Sequence, residues 1–199
     1  MGLFLAGCSV FGIRSGTPEP AYQVIGQAGA AEIRVYAPRL AASVTIGGDE
    51  IDARAAGFRR LAGFIFGGNT SRAKIEMTAP VAQQSASAKI EMTAPVAQTK
   101  SAGGWTITFY MPANYTAATL PKPKDPGIDI HEVPGETVAV LRYSGIPGKT
   151  AVAAAHDRLM AALRGSPWHV TGVPVDYFYD PPWTLPWARR NEVSVPVAD

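Results

Sequence analysis

The side chains able to do chemistry are few and dispersed. His131, His156 and His169 fall in three different predicted elements, with no metal-ligand spacing between them. His131 sits beside Ile130 in a strand pattern, where a surface histidine is the default. His156 lies next to the apolar face of a predicted helix, and His169 opens a further strand pattern. Each reads first as a structural histidine and only second as an axial ligand to iron. Met77 and Met92 alternate with polar residues, which suits core filling better than ligation. Glu76 and Glu91 occupy the polar side of the same alternation. Asp176 and Asp180 flank Tyr177-Phe178-Tyr179, where turn formation and tyrosine hydrogen bonding account for them. The nucleophile elbow, the zinc-protease His-Glu-x-x-His, the phosphate-binding glycine loop and the dinucleotide fingerprint are all missing. The expectation is a binding protein and not an enzyme. Catalysis on a small apolar substrate would require a buried carboxylate or tyrosine of perturbed pKa in a cleft.

The one cysteine, Cys8, rules out an internal disulfide and a cysteine-rich zinc site. It closes Leu5-Ala6-Gly7-Cys8, which resembles the site at which bacterial lipoprotein signals are cut and lipidated, here behind a short apolar run with no basic segment before it. That reading puts the chain at the bacterial cell envelope, facing the periplasm, with membrane contact through the Cys8 anchor alone. The competing reading is an ordinary cysteine in a cytoplasmic protein. N-myristoylation drops out, because Ala6 stands where Ser or Thr is needed. No stretch approaches the ~20 apolar residues of a membrane-spanning helix. Residues 1–20 are expected to be signal and flexible tether, and 21–199 a single domain. With 18 basic against 16 acidic residues, a net charge of +2 and no basic run interleaved with aromatics, nucleic acid is not an expected partner.

The elements that must position any site follow from periodicity. Glu50 to Phe66 places Ile51, Ala55, Phe58, Leu61, Ala62 and Ile65 at spacings of three and four, and Gly67-Gly68 follows as a stop signal. Lys149 to Arg164 repeats the pattern with Val152, Ala155, Leu159, Ala162 and Leu163, ahead of Gly165 and Pro167. Each helix is preceded by two short strands around a turn. Ile33 to Gly48 overlays Ile130 to Gly145 without a gap, matching Ile33 to Ile130, Ala42 to Ala139 and Gly48 to Gly145. More strand pattern follows each helix: Trp105 to Met111 after the first, Trp168 to Tyr179 and Glu192 to Val197 after the second. The resulting expectation is an α+β fold of two pseudo-symmetric β-α-β-β halves, forming a distorted antiparallel barrel or sheet with two helices packed on it. A helix lying across a curved sheet leaves a cleft along its flank that suits a flat apolar ligand.

One feature is local. Ala73 to Gln83 (AKIEMTAPVAQ) returns letter for letter as Ala88 to Gln98, too short and too few for a solenoid. The alternation within each copy predicts two strands joined by Gln84-Ser85-Ala86-Ser87 as a β-hairpin.

Six ordered segments resemble the SOUL haem-binding proteins from about Tyr22 onward. They are Ile33-Arg34-Val35-Tyr36; Phe58-Arg59-Arg60-Leu61 with Phe64 and Gly67-Gly68-Asn69; Lys74 to Val81; Trp105 to Pro112 with Leu120-Pro121-Lys122-Pro123; Asp180-Pro181-Pro182-Trp183-Thr184; and Arg189 to Val193. The resemblance implies paired β-α-β-β units with two helices. It also implies non-covalent binding of haem or another porphyrin in a hydrophobic groove beside the first helix, as carrier or buffer, with the tetrapyrrole as partner. Carried onto this sequence, the groove comprises Phe58, Leu61, Phe64 and Ile65, with Arg59 and Arg60 placed to meet propionates. No histidine falls in a matching motif, so the resemblance assigns no metal ligand. Trp183 and Trp187 are candidates for a lid or for closing the sheet end. The alternative is an effector-binding-like module for some other amphipathic small molecule.

Overall fold

The structure, a computed structural model, describes Val10, Gly12 and residues 17–70 and 87–199. Its strands are β1 (Tyr22–Ala28), β2 (Ala31–Tyr36), β3 (Arg39–Ile46), β4 (Asn69–Thr70), β5 (Val96–Ser101), β6 (Gly104–Tyr110), β7 (Lys122–Pro123), β8 (Asp129–Val133), β9 (Glu136–Tyr143), β10 (His169–Val170), β11 (Val175–Phe178) and β12 (Asn191–Ala198). The helices are α1 (Glu50–Ile65) and α2 (Lys149–Leu163), with a short 3-10 turn at Pro186–Ala188.

The fold class is as the periodicity indicates: a large antiparallel sheet with two helices packed on it. The strand order β1-β2-β9-β12-β11-β5-β6-β3-β8 is open at both ends, so the expected barrel is not closed. The internal symmetry appears in the elements, since β3 and β9 are the very strands that the ungapped alignment overlays, while β1 has no counterpart in the strand order. About the central pair β5 and β11, β6 mirrors β12, β3 mirrors β9, and β8 mirrors β2. The halves are not separate sheets, however. β2 pairs with β9 and β8 with β3, so each half lends its first strand to the other. Pro38 and Gly135 sit where these pairs turn. The exchange fuses what the sequence presents as two strand-turn-strand units into one continuous sheet.

Both helices lie on one face. α2 buries Val152, Ala155, Leu159 and Leu163 against Ile33, Ala139, Leu141, Val193 and Val195. α1 buries Leu61, Phe64 and Ile65 against Ala42, Val44, Ile107 and Phe109. Asp49 caps α1, its Oδ1 accepting the Ile51 N–H at 2.9 Å. Gly57 allows close approach to β6, because a Cβ there would lie 2.4 Å from Ile107 Cγ1. The predicted stop is real: Gly67 has φ +120°, and the Gly68 N–H donates to Gly63 O at 2.8 Å.

The repeat departs from expectation. The first copy lies outside the described residues. In the second, Ala88 to Pro95 is not a strand, and β5 begins only at Val96. The reason is that this stretch spends its hydrogen bonds elsewhere. Asn69, fully buried, donates through Nδ2 to Phe64 O and Ala88 O, and accepts the Ala88 N–H. The Ile90 N–H donates to Ile65 O and the Ala94 N–H to Pro18 O, while the Thr93 hydroxyl donates to Tyr110 O. Ile90 is thereby sealed into the core under α1. The hairpin of two repeat strands is therefore corrected to an irregular segment stitched to the C-terminus of α1. Trp168 to Tyr179 likewise resolves into two short strands, β10 and β11, and not one run.

Candidate functional site

Leu61, Phe64 and Ile65 lie in the core beneath α1 and are shut off from solvent. Phe58 does not follow them. It lies on the flank of α1 that faces the centre of the sheet, 38% exposed, with its ring edge-on to Phe109 at 5.5 Å. Helical spacing brings Ile51, Ala55, Ala62 and the following Phe66 to the same flank, and Ile51 (44%) and Phe66 (54%) are exposed as well. The result is an apolar stripe along one side of the helix, open to solvent.

The two arginines separate in the same way. Arg59 is exposed on the outer border of the stripe. Arg60 turns to the other side and grips Asp125 through Nε and Nη2, both at 2.7 Å. That hydrogen bond is the main reason the Asp125 carboxyl is held down at about 2, helped by the Gly127 N–H. Arg60 thus has a partner already, whereas Arg59 lies exposed.

The inner border of the stripe holds a cluster that sequence reasoning missed. Arg54 stacks on the Phe178 ring at 4.1 Å and donates to Pro147 O at 3.1 Å. Close by, His156 Nε2 meets Asp176 Oδ1 at 2.6 Å, and Gln98 donates to Glu50 O at 2.9 Å. Among the described residues, Glu50 Oε1, Arg54 Nη1, Gln98 Oε1 and Tyr143 OH are buried without a hydrogen-bond partner. Burial pushes the Glu50 carboxyl and the Tyr143 phenol upward, and the Asp176 charge adds to both. The His156 imidazole is raised by its hydrogen bond to Asp176, against the opposing pull of burial. These groups come from α1, α2, β5, β9 and β11, so no local spacing could announce them. The one available signal was His156 at helical spacing from the core residues Val152 and Leu159.

The opposite, helix-free face carries a second buried network. Arg34 forks onto Glu192 through Nη1 at 2.9 Å and Nη2 at 3.2 Å, and Tyr179 OH donates to the same carboxylate at 2.7 Å. Arg190 joins at 3.0 Å from Nε. Every member is satisfied, which suits a structural clamp joining β2 to β12.

No histidine lies on the α1 stripe. His156 belongs to Asp176, His131 Nδ1 stands 3.1 Å from Asp129 Oδ2, and His169 is exposed on β10. Among the described residues no three His, Cys, Asp or Glu side chains gather as a metal site. Two concavities lie elsewhere. One of about 150 Å³ is lined by Tyr22, Arg34, Arg142 and Glu192; the other, of about 510 Å³, opens at the start of α1 between Asp49, Lys100, Trp105 and Lys149. The stripe itself is open surface, so a flat ligand on it would be covered on one face and wet on the other. Cys8 lies outside the described residues.

Structural comparison places the same fold in a C-terminal domain of EcmrR, with a TM-score of 0.61 at 12% identity, covering 89% of this chain and 98% of that one. A DNA complex of EcmrR gives 0.59 at 12% identity, covering 89% of this chain and 58% of that one. A hydrolase from Listeria innocua gives 0.52 at 10%, covering 87% and 94%. At such identities the likeness is one of fold. Comparison by sequence with curated proteins gives no match. A family model described as SOUL heme-binding protein matches residues 17–196.

Proposed function

Since the chain belongs to the SOUL heme-binding protein family, we propose that it binds haem or a related tetrapyrrole non-covalently on the α1 flank, as a carrier or buffer. The observation that carries this reading is the exposed stripe of Ile51, Phe58 and Phe66, among the described residues the one helix flank where large apolar side chains line up outside the core. A tetrapyrrole supplies a flat apolar face and carboxylate arms. Phe58 offers a ring to stack on, and Arg59 a guanidinium for a propionate. Leu61, Phe64 and Ile65 act from beneath by fixing the helix, and Arg60 joins only by leaving Asp125. The residues fit the ring and its carboxylates; they supply no histidine to iron on that flank.

Titrating the protein with haemin tests this. A Soret shift and tryptophan quenching at micromolar haem are expected. Arg59→Glu should weaken binding about tenfold, roughly 1.4 kcal/mol, without moving the melting temperature, because Arg59 is exposed. Absence of any Soret change at micromolar haem refutes the reading.

A second reading is a module that binds or senses another amphipathic molecule on the same exposed stripe of Ile51, Phe58 and Phe66, and a competitive ligand screen against haemin separates the two. An enzyme remains the third reading: Glu50 and Tyr143 are a half-buried carboxylate and a half-buried tyrosine of raised pKa, the kind of groups that catalysis would need. The family is generally non-enzymatic, which favours binding. For Cys8 we propose acylation and a periplasm-facing location. Mass spectrometry of the native N-terminus decides that.

A further inference from the structure

We propose that the paired loops carrying Ile146 and Trp187 form a membrane-docking surface that lies against a lipid bilayer. The proposal rests on the reading of Cys8 as the point of attachment, and its test is built so that the two can fail separately.

Two loops make the surface. One joins β9 to α2 (residues 144–148); the other joins β11 to β12 (residues 179–190). They are tied together, the Gly145 N–H donating to Pro186 O at 2.9 Å and Asn191 Nδ2 to Gly145 O at 3.0 Å. The longer loop also satisfies its own backbone. Thr184 N–H donates to Pro181 O, Ala188 N–H to Leu185 O, and Arg189 Nε to Thr184 O. Pro181, Pro182 and Pro186 have no N–H to desolvate. A loop entering lipid headgroups must leave few backbone groups in need of water, and this one is built that way.

Its side chains are the wrong ones for open water. Ile146 is 64% exposed, Trp187 69% and Trp183 63%. Tryptophan is favoured at the membrane–water boundary, where its ring meets the acyl chains while the indole N–H stays hydrated.

Val10 and Gly12 pack on this same loop. The Leu185 N–H donates to Val10 O at 2.9 Å, and Gly12 backs so closely onto Ala188 that a Cβ would lie 2.3 Å from Ala188 O. Cys8 precedes Val10 by two residues, a reach of at most about 7 Å at ~3.6 Å per residue. A lipid on Cys8 would therefore leave the protein beside Trp187 and Ile146, and hold both at the bilayer it enters. Arg54, at the inner border of the α1 stripe, touches this surface through Pro147 O.

The test uses the full chain and its one cysteine. The protein is coupled at Cys8 to maleimide-bearing lipid in phosphatidylcholine vesicles, and tryptophan emission is read with and without bromine-labelled acyl chains. An N-terminal hexahistidine held by nickel-chelating lipid gives a second attachment that does not use the thiol. Expected is a blue shift and quenching by brominated lipid. Quenching should fall at least about twofold in Trp183→Phe/Trp187→Phe, where only Trp105 and Trp168 emit, and be lost with Ile146→Asp/Trp187→Asp at equal coupling. Absence of quenching in both attachments overturns the proposal, as does quenching undiminished in the double phenylalanine variant. If Trp187→Asp instead converts an uncoupled dimer to a monomer and lipid never quenches, the surface is a self-association face and the proposal fails. An unacylated Cys8 in the native protein would retire the anchor and leave the vesicle result to decide the surface.

Discussion

Ile75 and Ile90 occupy identical positions in two identical stretches of sequence, yet they should respond differently to the same substitution. Ile90 is fully buried among Phe64, Ile65, Ile107 and Phe109, and its N–H is bonded to Ile65 O. Ile90→Ala removes three carbons from a packed site and leaves a cavity, a loss of about 2–5 kcal/mol. For a chain of this size, each kcal/mol moves the melting temperature by roughly 2–4 °C, so a fall of about 4–20 °C is expected. If the second copy fills the slot under α1, Ile75→Ala should stay within about 0.5 kcal/mol. Urea denaturation followed by circular dichroism measures both, together with the double variant. Equal losses from the two single changes would refute the reasoning. So would two mild single changes with a severe double, since that pattern means the copies trade places.

Three further outcomes follow from the packing and the charges. Gly57→Ala should destabilise by about 1–3 kcal/mol despite the better helix propensity of alanine, because its methyl group meets Ile107; a more stable variant in thermal melts would show that β6 yields. Burial raises the Glu192 carboxyl, but the Arg34 hydrogen bond and the charges of Arg34 and Arg190 outweigh it and hold it below the usual range. Its stabilising effect is therefore full above about pH 4.3 and lost as pH falls through the lower folded value. Glu192→Gln should cost about 3 kcal/mol, the low end for a broken buried ion pair, because Arg34 keeps Glu32 at 2.8 Å, and it should flatten that acid limb; an unchanged acid limb in urea melts speaks against it. His156 has the opposite sign. Its pKa is raised by Asp176, so its contribution is full below about pH 6.5 and fades as pH climbs through the higher folded value. An imidazole titration by NMR at or below 6.5 would contradict the His156–Asp176 pair.

The sequence alone determined the helices, the internal symmetry and the family, because those signals are local or ordered along the chain. Periodicity placed α1 within one residue of its observed end, and the overlay of residues 33–48 on 130–145 found β3 and β9 as equivalents. Spacing groups Phe58 with Leu61 and Ile65 on one helix face, and only the packing buries those two while leaving Phe58 at the surface. What the tertiary structure decided is everything that depends on partners far away in sequence. The exchange of β2 and β8 between halves, the open sheet edges and the choice of the second repeat copy all rest on such contacts. Local propensity could not make that last choice, since the two copies are the same string. The repeat alternates as a strand should, but Asn69, Ile65 O and Pro18 O claim its hydrogen bonds first. Arg60 looked like the twin of Arg59 until Asp125, 65 residues away, took it. The polar cluster of Glu50, Arg54, Gln98, Tyr143, His156 and Asp176 draws on five elements that meet only in the folded chain, because a carboxylate and a histidine announce chemistry only when burial and neighbours shift them.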